Sequence, residues 1–262
     1  MRKYFYIFKT SLIEQLQHLA NLVFEILRFG LVIFILLNIW NYIYSDINNI
    51  KGYTAAQAMW YTLCAEMLWF GTWNHPFPDE VSSDIKSGNV IYKLNKPYNY
   101  SLFLFSKYLG SIFFKIISFM LIGITAGILF IGPLHNFNIK KLPLLAIIYI
   151  LAIAISTLIY VIISMSSFWL EENKPIRRFY DKAIIMLGIV YPLEMLPVWL
   201  QPISKFTPIF VCIYGPMKLT VDFSTNIFYQ IIVAQSFWFI ALIFLALFMC
   251  QNGLKKTNVN GG

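Results

Sequence analysis

The sequence predicts an all-α integral membrane protein with six transmembrane helices, an N-terminal amphipathic interfacial helix and an outer re-entrant helical segment. Two observations carry this. Of 262 residues, 59% are hydrophobic and only 12% are charged, against about a quarter charged in soluble globular chains. The apolar residues also fall into six runs, at about 21–44, 56–74, 108–132, 142–168, 182–200 and 228–250, each near the roughly 20 residues a helix needs to cross a bilayer. Residues 1–262 then form a single transmembrane domain.

The formal charge of +8 reads as membrane orientation rather than nucleic-acid binding, because basic residues mark the cytoplasmic face and anionic lipid. With both termini cytoplasmic, only Lys51, Lys140, Lys141, Lys205 and Lys218 of the twenty Lys and Arg lie outside. Cys64, Cys212 and Cys250 sit in apolar sequence without paired spacing and read as small hydrophobes. His18, His75 and His135 belong to distant segments, so no metal site is expected. No Ser, His and Asp spacing suggests a nucleophile with its base.

At the N-terminus the apolar run after Met1-Arg2-Lys3 breaks at Lys9 with no small-residue cleavage site following, which argues against a removable signal. Phe5, Phe8, Leu12, Leu16 and Leu19 recur at helical spacing opposite Lys9, Glu14, Gln15 and His18. This predicts a helix at about 2–20 lying in the membrane interface.

In the first span, Glu25 and Arg28 are three residues apart at the inner end, placed to pair with each other or to reach headgroups. In the second, Glu66 lies near mid-membrane, where a bare charge costs about 2.5–3.5 kcal/mol on insertion scales. It lines a translocation path or makes a structural hydrogen bond. Trp60, Tyr61, Met67 and Phe70 share that span and suit either an apolar cargo lining or ordinary packing.

Between the second and third runs lies a polar stretch from Pro76 to Pro97. Pro78 suits a first helical turn, Asp79 and Glu80 follow where the helix dipole favours anions, and Lys86 with Gly88 closes the helix. Val81 and Ile85, four apart, make an apolar stripe between charges, either the anchors of a docking helix or the seat of an ordinary capped surface helix. Asn99-Tyr-Ser101 matches a glycosylation sequon by letter but falls on the cytoplasmic side, where it stays unmodified. The turn Glu171 to Arg178 is the other charged cytoplasmic connection. On the outer side, residues at about 198–227 are too apolar for a free loop, and Pro202, Pro208, Gly215 and Pro216 break them too often for a span. A short helix dipping into the outer leaflet, sheltered by protein, satisfies both facts. Glu194, between Pro192 and Pro197, either lines an exit or meets water.

Ile85-Lys-Ser-Gly88-Asn-Val-Ile-Tyr92-Lys-Leu94-Asn-Lys-Pro97 resembles the cytoplasmic signature of the membrane subunits of type-2 ABC exporters, the ABC-2 permeases. Lys96 stands where arginine is frequent, which removes bidentate geometry there. Tyr191-Pro192-Leu-Glu-Met-Leu-Pro197, Thr207-Pro208-Ile-Phe210 and Tyr214-Gly-Pro216 are similar to that family's passage from its fifth span into an extracellular re-entrant helix.

The resemblance implies a permease in the cell membrane without its own motor. A second permease subunit, identical or related, and cytoplasmic ABC ATPases would complete it, with ATP and magnesium held on the ATPases and no cofactor here. Asp79 to Ser87 would be the cytoplasmic coupling helix, whose movement tilts the second and third spans and drives alternating access for a hydrophobic or amphiphilic cargo. The chain has no Gly-x4-Gly-Lys-Ser/Thr phosphate loop. The competing readings are a membrane-embedded lipid-modifying enzyme and a non-transporting membrane scaffold.

Overall fold

A computed structural model describes residues 2–17, 19–134, 137–170 and 172–259; His18, His135 and Glu171 lie outside them. The helices run α1 (Arg2–Leu16), α2 (Leu19–Ile43), α3 (Ala55–Thr72), α4 (Pro76–Lys86), α5 (Val90–Leu94), α6 (Tyr100–Phe130), α7 (Leu142–Met165), α8 (Lys174–Ile184), α9 (Leu200–Lys205), α10 (Gly215–Val221) and α11 (Thr225–Val259). Among the described residues no strand forms, and the only β feature is an isolated bridge between Ile50 and Tyr53.

Among the described residues four helices, α2, α6, α7 with its flanking turns, and α11, are long and apolar enough to cross a membrane. α3 differs. It carries Gln57, Thr62 and Glu66, and from Ala58 to Thr72 every residue except Trp69 is buried. Packing against α2, α6 and α10 lets this helix keep polar groups that a lipid-facing helix of the same length would not tolerate. Thr54 and Gln57 close its start as a reciprocal capping box.

The 31 residues of α6, at about 1.5 Å each, make about 46 Å, well beyond the roughly 30 Å hydrocarbon thickness. The helix starts at Tyr100 because Asn99, the letter-match sequon residue, caps it by accepting the Leu102 amide at 3.1 Å. α1 packs along the overhang. Lys3 donates to the Pro97 carbonyl, the Ser11 hydroxyl reaches the Lys107 carbonyl at 2.8 Å, and Phe8 meets Phe113 edge-on at 5.5 Å. The contact face therefore differs from the expected stripe: Ser11 is buried, while Phe5 and Leu16 point outward.

Gly110 sets this approach, since a Cβ there would stand 2.3 Å from the Phe8 carbonyl oxygen. Backbone cannot yield as a flexible side chain does. Gly110→Val is expected to pry α1 from α6 at a cost of about 1–3 kcal/mol, read as a lowered unfolding midpoint together with faster tryptic cleavage at Lys9.

The stretch expected as a fifth span at about 182–200 is not one helix. α8 starts earlier, at Lys174, passes into a π-helical turn at Ile185–Ile189 and stops there. Pro192 is the cause: it has no N–H to offer the Gly188 carbonyl. The Tyr61 hydroxyl of α3 takes that carbonyl instead, at 2.7 Å.

Beyond it a 3₁₀ turn at Leu193–Met195 and the short α9 lead to a second π turn, Phe210–Tyr214, continuous with α10. Pro216, also without an N–H, falls just after this widening. The freed Val211 carbonyl is met by the Gln235 side-chain amide of α11 at 3.0 Å, and the same amide reaches the Ile148 carbonyl at 3.0 Å. Val211, Cys212, Met217 and Leu219 are fully buried, so this broken apolar segment is sheltered by protein.

Candidate functional site

The polar block forms two short helices at one end of the bundle. α4 begins at Pro76, two residues before the expected Pro78, with Asp79 in its first turn and Lys86 in its last. Gly88, at φ 75°, turns the chain in the left-handed region that favours glycine, and α5 follows.

The apolar stripe faces inward. Val81 is 3% exposed and joins Phe77 and Val90 in the main core, with Ile85 and Leu94 half-buried against it. Val81 and Ile85 thus pack into the chain's own core, and α4 as a whole lies against α7. Facing out are Glu80, Ser83, Lys86 and Ser87 of the α4 region, then Tyr92, Lys96 and Pro97. Tyr92 is 75% exposed.

Charges tie the block down. Glu80 pairs with Lys107 of α6 and with Lys93 at 3.6 Å, and Asp84 pairs with Lys93. Burial alone would lower the Lys93 pKa, but Asp84 and Glu80 outweigh it and raise it, so the ammonium persists. Lys86 and Glu172, 3.8 Å apart and both about half exposed, contribute little. Asp79 meets Arg177 of α8 at 2.9 Å. The buried Asn173 donates to the Pro78 carbonyl at 2.7 Å and to the Ser167 hydroxyl at 3.1 Å. Between α4 and the residues ahead of α8 lies a cleft of about 530 Å³ lined by Asp79, Ser82, Ser83, Lys86, Ser87, Glu172, Asn173 and Lys174.

The second candidate group lies inside α3, closed off in this conformation. Trp60 Nε1 donates to the Gly132 carbonyl at 3.0 Å. Met67 fills the space left by Gly123. Phe70 meets Phe29 and Phe119 at 5.4 and 5.5 Å. Glu66 is 5% exposed, and its Oε2 has no hydrogen-bond partner among the described residues.

Glu25 does not pair with Arg28. Its carboxylate reaches Lys115 of α6 at 2.6 Å, while the Arg28 guanidinium lies over the Phe70 and Trp73 rings at 4.8 and 4.3 Å. A cation over an aromatic face is stabilised by the ring quadrupole, and the cross-helix carboxylate pair serves the buried ammonium better than a neighbour on the same helix.

Glu194, at the opposite end, is a junction. It accepts the Tyr53 hydroxyl at 2.9 Å and the Tyr214 hydroxyl at 2.7 Å, with Lys218 at 3.6 Å. Pro192 and Pro197 bracket it, while Pro208 and Pro216 punctuate the helical stretch that brings Tyr214 to it. Burial and the Glu194 carboxylate together push the Tyr53 hydroxyl pKa far up, so it remains a donor. Glu194→Ala leaves two part-buried hydroxyls without their acceptor and is expected to cost about 1–3 kcal/mol. Glu194→Gln should recover part of it in the same unfolding assay.

The sequence pattern of the family described as ABC-2 family transporter protein matches residues 29–261. The chain belongs to the ABC-2 transporter family. It is thus a permease of an ABC transporter, a multi-pass, all-helical membrane protein. No curated protein matches it. For an ABC-2 permease, the residues overlooked in the sequence are the polar ones that meet buried backbone carbonyls or side chains of other elements: Lys115, Asn173, Arg177, Asp181 and Gln235. Lys115 and Gln235 each stand alone in a long apolar run, and that isolation is the signal that would have found them.

Proposed function

We propose that this ABC-2 permease exports a hydrophobic or amphiphilic cargo, such as a drug, peptide, lipid or glycolipid, across the cell membrane by alternating access. Cytoplasmic ABC ATPases, which bind ATP and magnesium, supply the energy, and a second permease subunit completes the path. The observation that carries this reading is the α4–α5 block: its apolar stripe is spent on the chain's own core, and its outward surface is a charged and hydroxyl-rich face with Tyr92 projecting from it. The projecting Tyr92 is of the type enriched at protein interfaces, and the charged and hydroxyl side chains around it suit the polar rim of one. ATP binding would favour one of two arrangements of the bundle through differential contacts with the two states, and the buried side of α3, with Trp60, Tyr61, Glu66, Met67 and Phe70, would be exposed in turn to each side. Affinity purification of the chain from native membranes is expected to bring down a protein with a phosphate-binding loop and ATP hydrolysis, absent when the chain is purified alone. Lipid turnover by the isolated chain would overturn the reading in favour of an enzyme.

A further inference from the structure

α4 is held by α8 at two points one helical turn apart. Arg177, 5% exposed, sets Nη1 2.9 Å from Asp79 Oδ1 and 3.0 Å from the His75 carbonyl oxygen. Four residues on, Asp181, 7% exposed, lies with Oδ2 2.7 Å from His75 Nε2. Its other oxygen accepts the Tyr160 hydroxyl of α7 at 2.8 Å. The spacing puts both residues on one face of α8, so together they grip the entry and the first turn of α4.

The grip continues inward. Tyr160 stacks on Tyr108 at 5.6 Å and 14°, and the Tyr108 hydroxyl donates to the Thr72 carbonyl in the last turn of α3 at 2.6 Å. Upward, α8 runs into its π turn, where a Cβ on Gly188 would stand 3.0 Å from both Ile209 and Ile213. α8 is thereby closely packed against the helical segment ending in α10. α4 also meets α5 through Asp84 and Lys93, and α6 through Glu80 with Lys107 and Phe77 on Tyr108, but the side chains that α8 supplies, Arg177 and Asp181, are the more buried, at 7% and 10% exposed, against 27% and 22% for Lys93 and Lys107. A guanidinium and a carboxylate that stay buried can give up these charge-assisted bonds only by being left as unpaired charges, which is strongly unfavourable.

We propose that Arg177 and Asp181 are positioning residues that make α4 and α8 one moving body. A pull on α4 then drives α8 and the segment beyond it, rather than tilting the second and third spans alone. This rests on the reading of α4 as the element an ATPase engages.

The test uses the full chain in complex with its co-purified ATPase in nanodiscs, with Cys64→Ala, Cys212→Ala and Cys250→Ala as background. Nitroxide labels go in pairs at Ser83→Cys on α4, Lys182→Cys on α8 and Gln251→Cys on α11, and distances are measured without nucleotide and with trapped ATP. The Ser83–Lys182 distance is expected to stay fixed while Ser83–Gln251 and Lys182–Gln251 both shift by on the order of 2 Å or more. In Arg177→Ala the Lys182–Gln251 shift is lost, and the charge swap Asp79→Arg with Arg177→Asp restores it, which loss of folding alone would not allow. A Ser83–Lys182 distance that changes with nucleotide while Lys182–Gln251 stays fixed overturns the proposal and leaves the ATPase reading standing. If Ser83–Gln251 itself ignores nucleotide, the ATPase reading of α4 fails, and the proposal with it.

Discussion

Glu25→Ala is expected to destabilise the folded bundle by about 3 kcal/mol, the largest effect of any single change considered for this chain. The Lys115 side chain is 5% exposed and its ammonium pairs with Glu25 at 2.6 Å; the remaining fixed donation goes to the Trp73 carbonyl at 2.7 Å. Removing the carboxylate strands a buried charge, which costs about 3–5 kcal/mol in protein interiors. The side chain of Glu25 is 25% exposed, which places the expectation at the low end. Arg28 adds to the penalty by supplying a second positive charge beside Trp73. The double variant Glu25→Leu with Lys115→Leu should recover most of the loss, because neither charge is then buried alone. Reversible unfolding in mixed micelles, run as a double-mutant cycle, checks this; a double variant no better than Glu25→Ala would show that the pair carries no coupling.

Tyr92→Ala is expected to weaken binding of the ATPase about thirtyfold while leaving the fold intact. Its ring is 75% exposed and makes no core contact, so truncation costs the bundle almost nothing. At interfaces, tyrosines of this kind are enriched among residues worth about 2 kcal/mol or more, and 1.4 kcal/mol is about tenfold in affinity. Phe244→Ala on α11, 68% exposed on the bundle surface, serves as the control and should leave the affinity unchanged. Titration of the ATPase onto chain held in nanodiscs reads both. Equal affinities for wild type and Tyr92→Ala would remove the α4–α5 face from the interface.

Much of the fold was legible because lipid imposes one rule: a long apolar run becomes a helix that satisfies its own backbone. The runs at α2, α6, α7 and α11 obey it directly. α3 was legible from its apolar run as well, although its Glu66 marks it as enclosed; the capping box at Thr54 and Gln57 that starts it appeared only in the structure. The fifth run was misplaced because hydropathy does not register that Pro192 lacks a donor, nor that Tyr61, 127 residues away, takes the Gly188 carbonyl left over. The same limit hid Gln235, which caps the Val211 carbonyl from another helix. For the polar block, helical spacing identified Val81 and Ile85 as a stripe, but spacing cannot say whether a stripe faces a partner or the chain's own core. The pairings Glu25–Lys115 and Asp79–Arg177 were illegible because each joins helices whose relative rotation is fixed by packing, for example by the backbone approach at Gly110, and not by sequence distance.

The central claim is that this permease exposes the inner face of α3 alternately under control of ATP. Single cysteines at Tyr61, Glu66 and Met67, in a background lacking Cys64, Cys212 and Cys250, report on it through their reactivity with a membrane-impermeant thiol reagent in the reconstituted complex. All three side chains are buried at 5% exposure or less, so the account predicts slow labelling in one nucleotide state and labelling at least about tenfold faster in the other. Equal, slow labelling of all three positions with and without trapped ATP would contradict it.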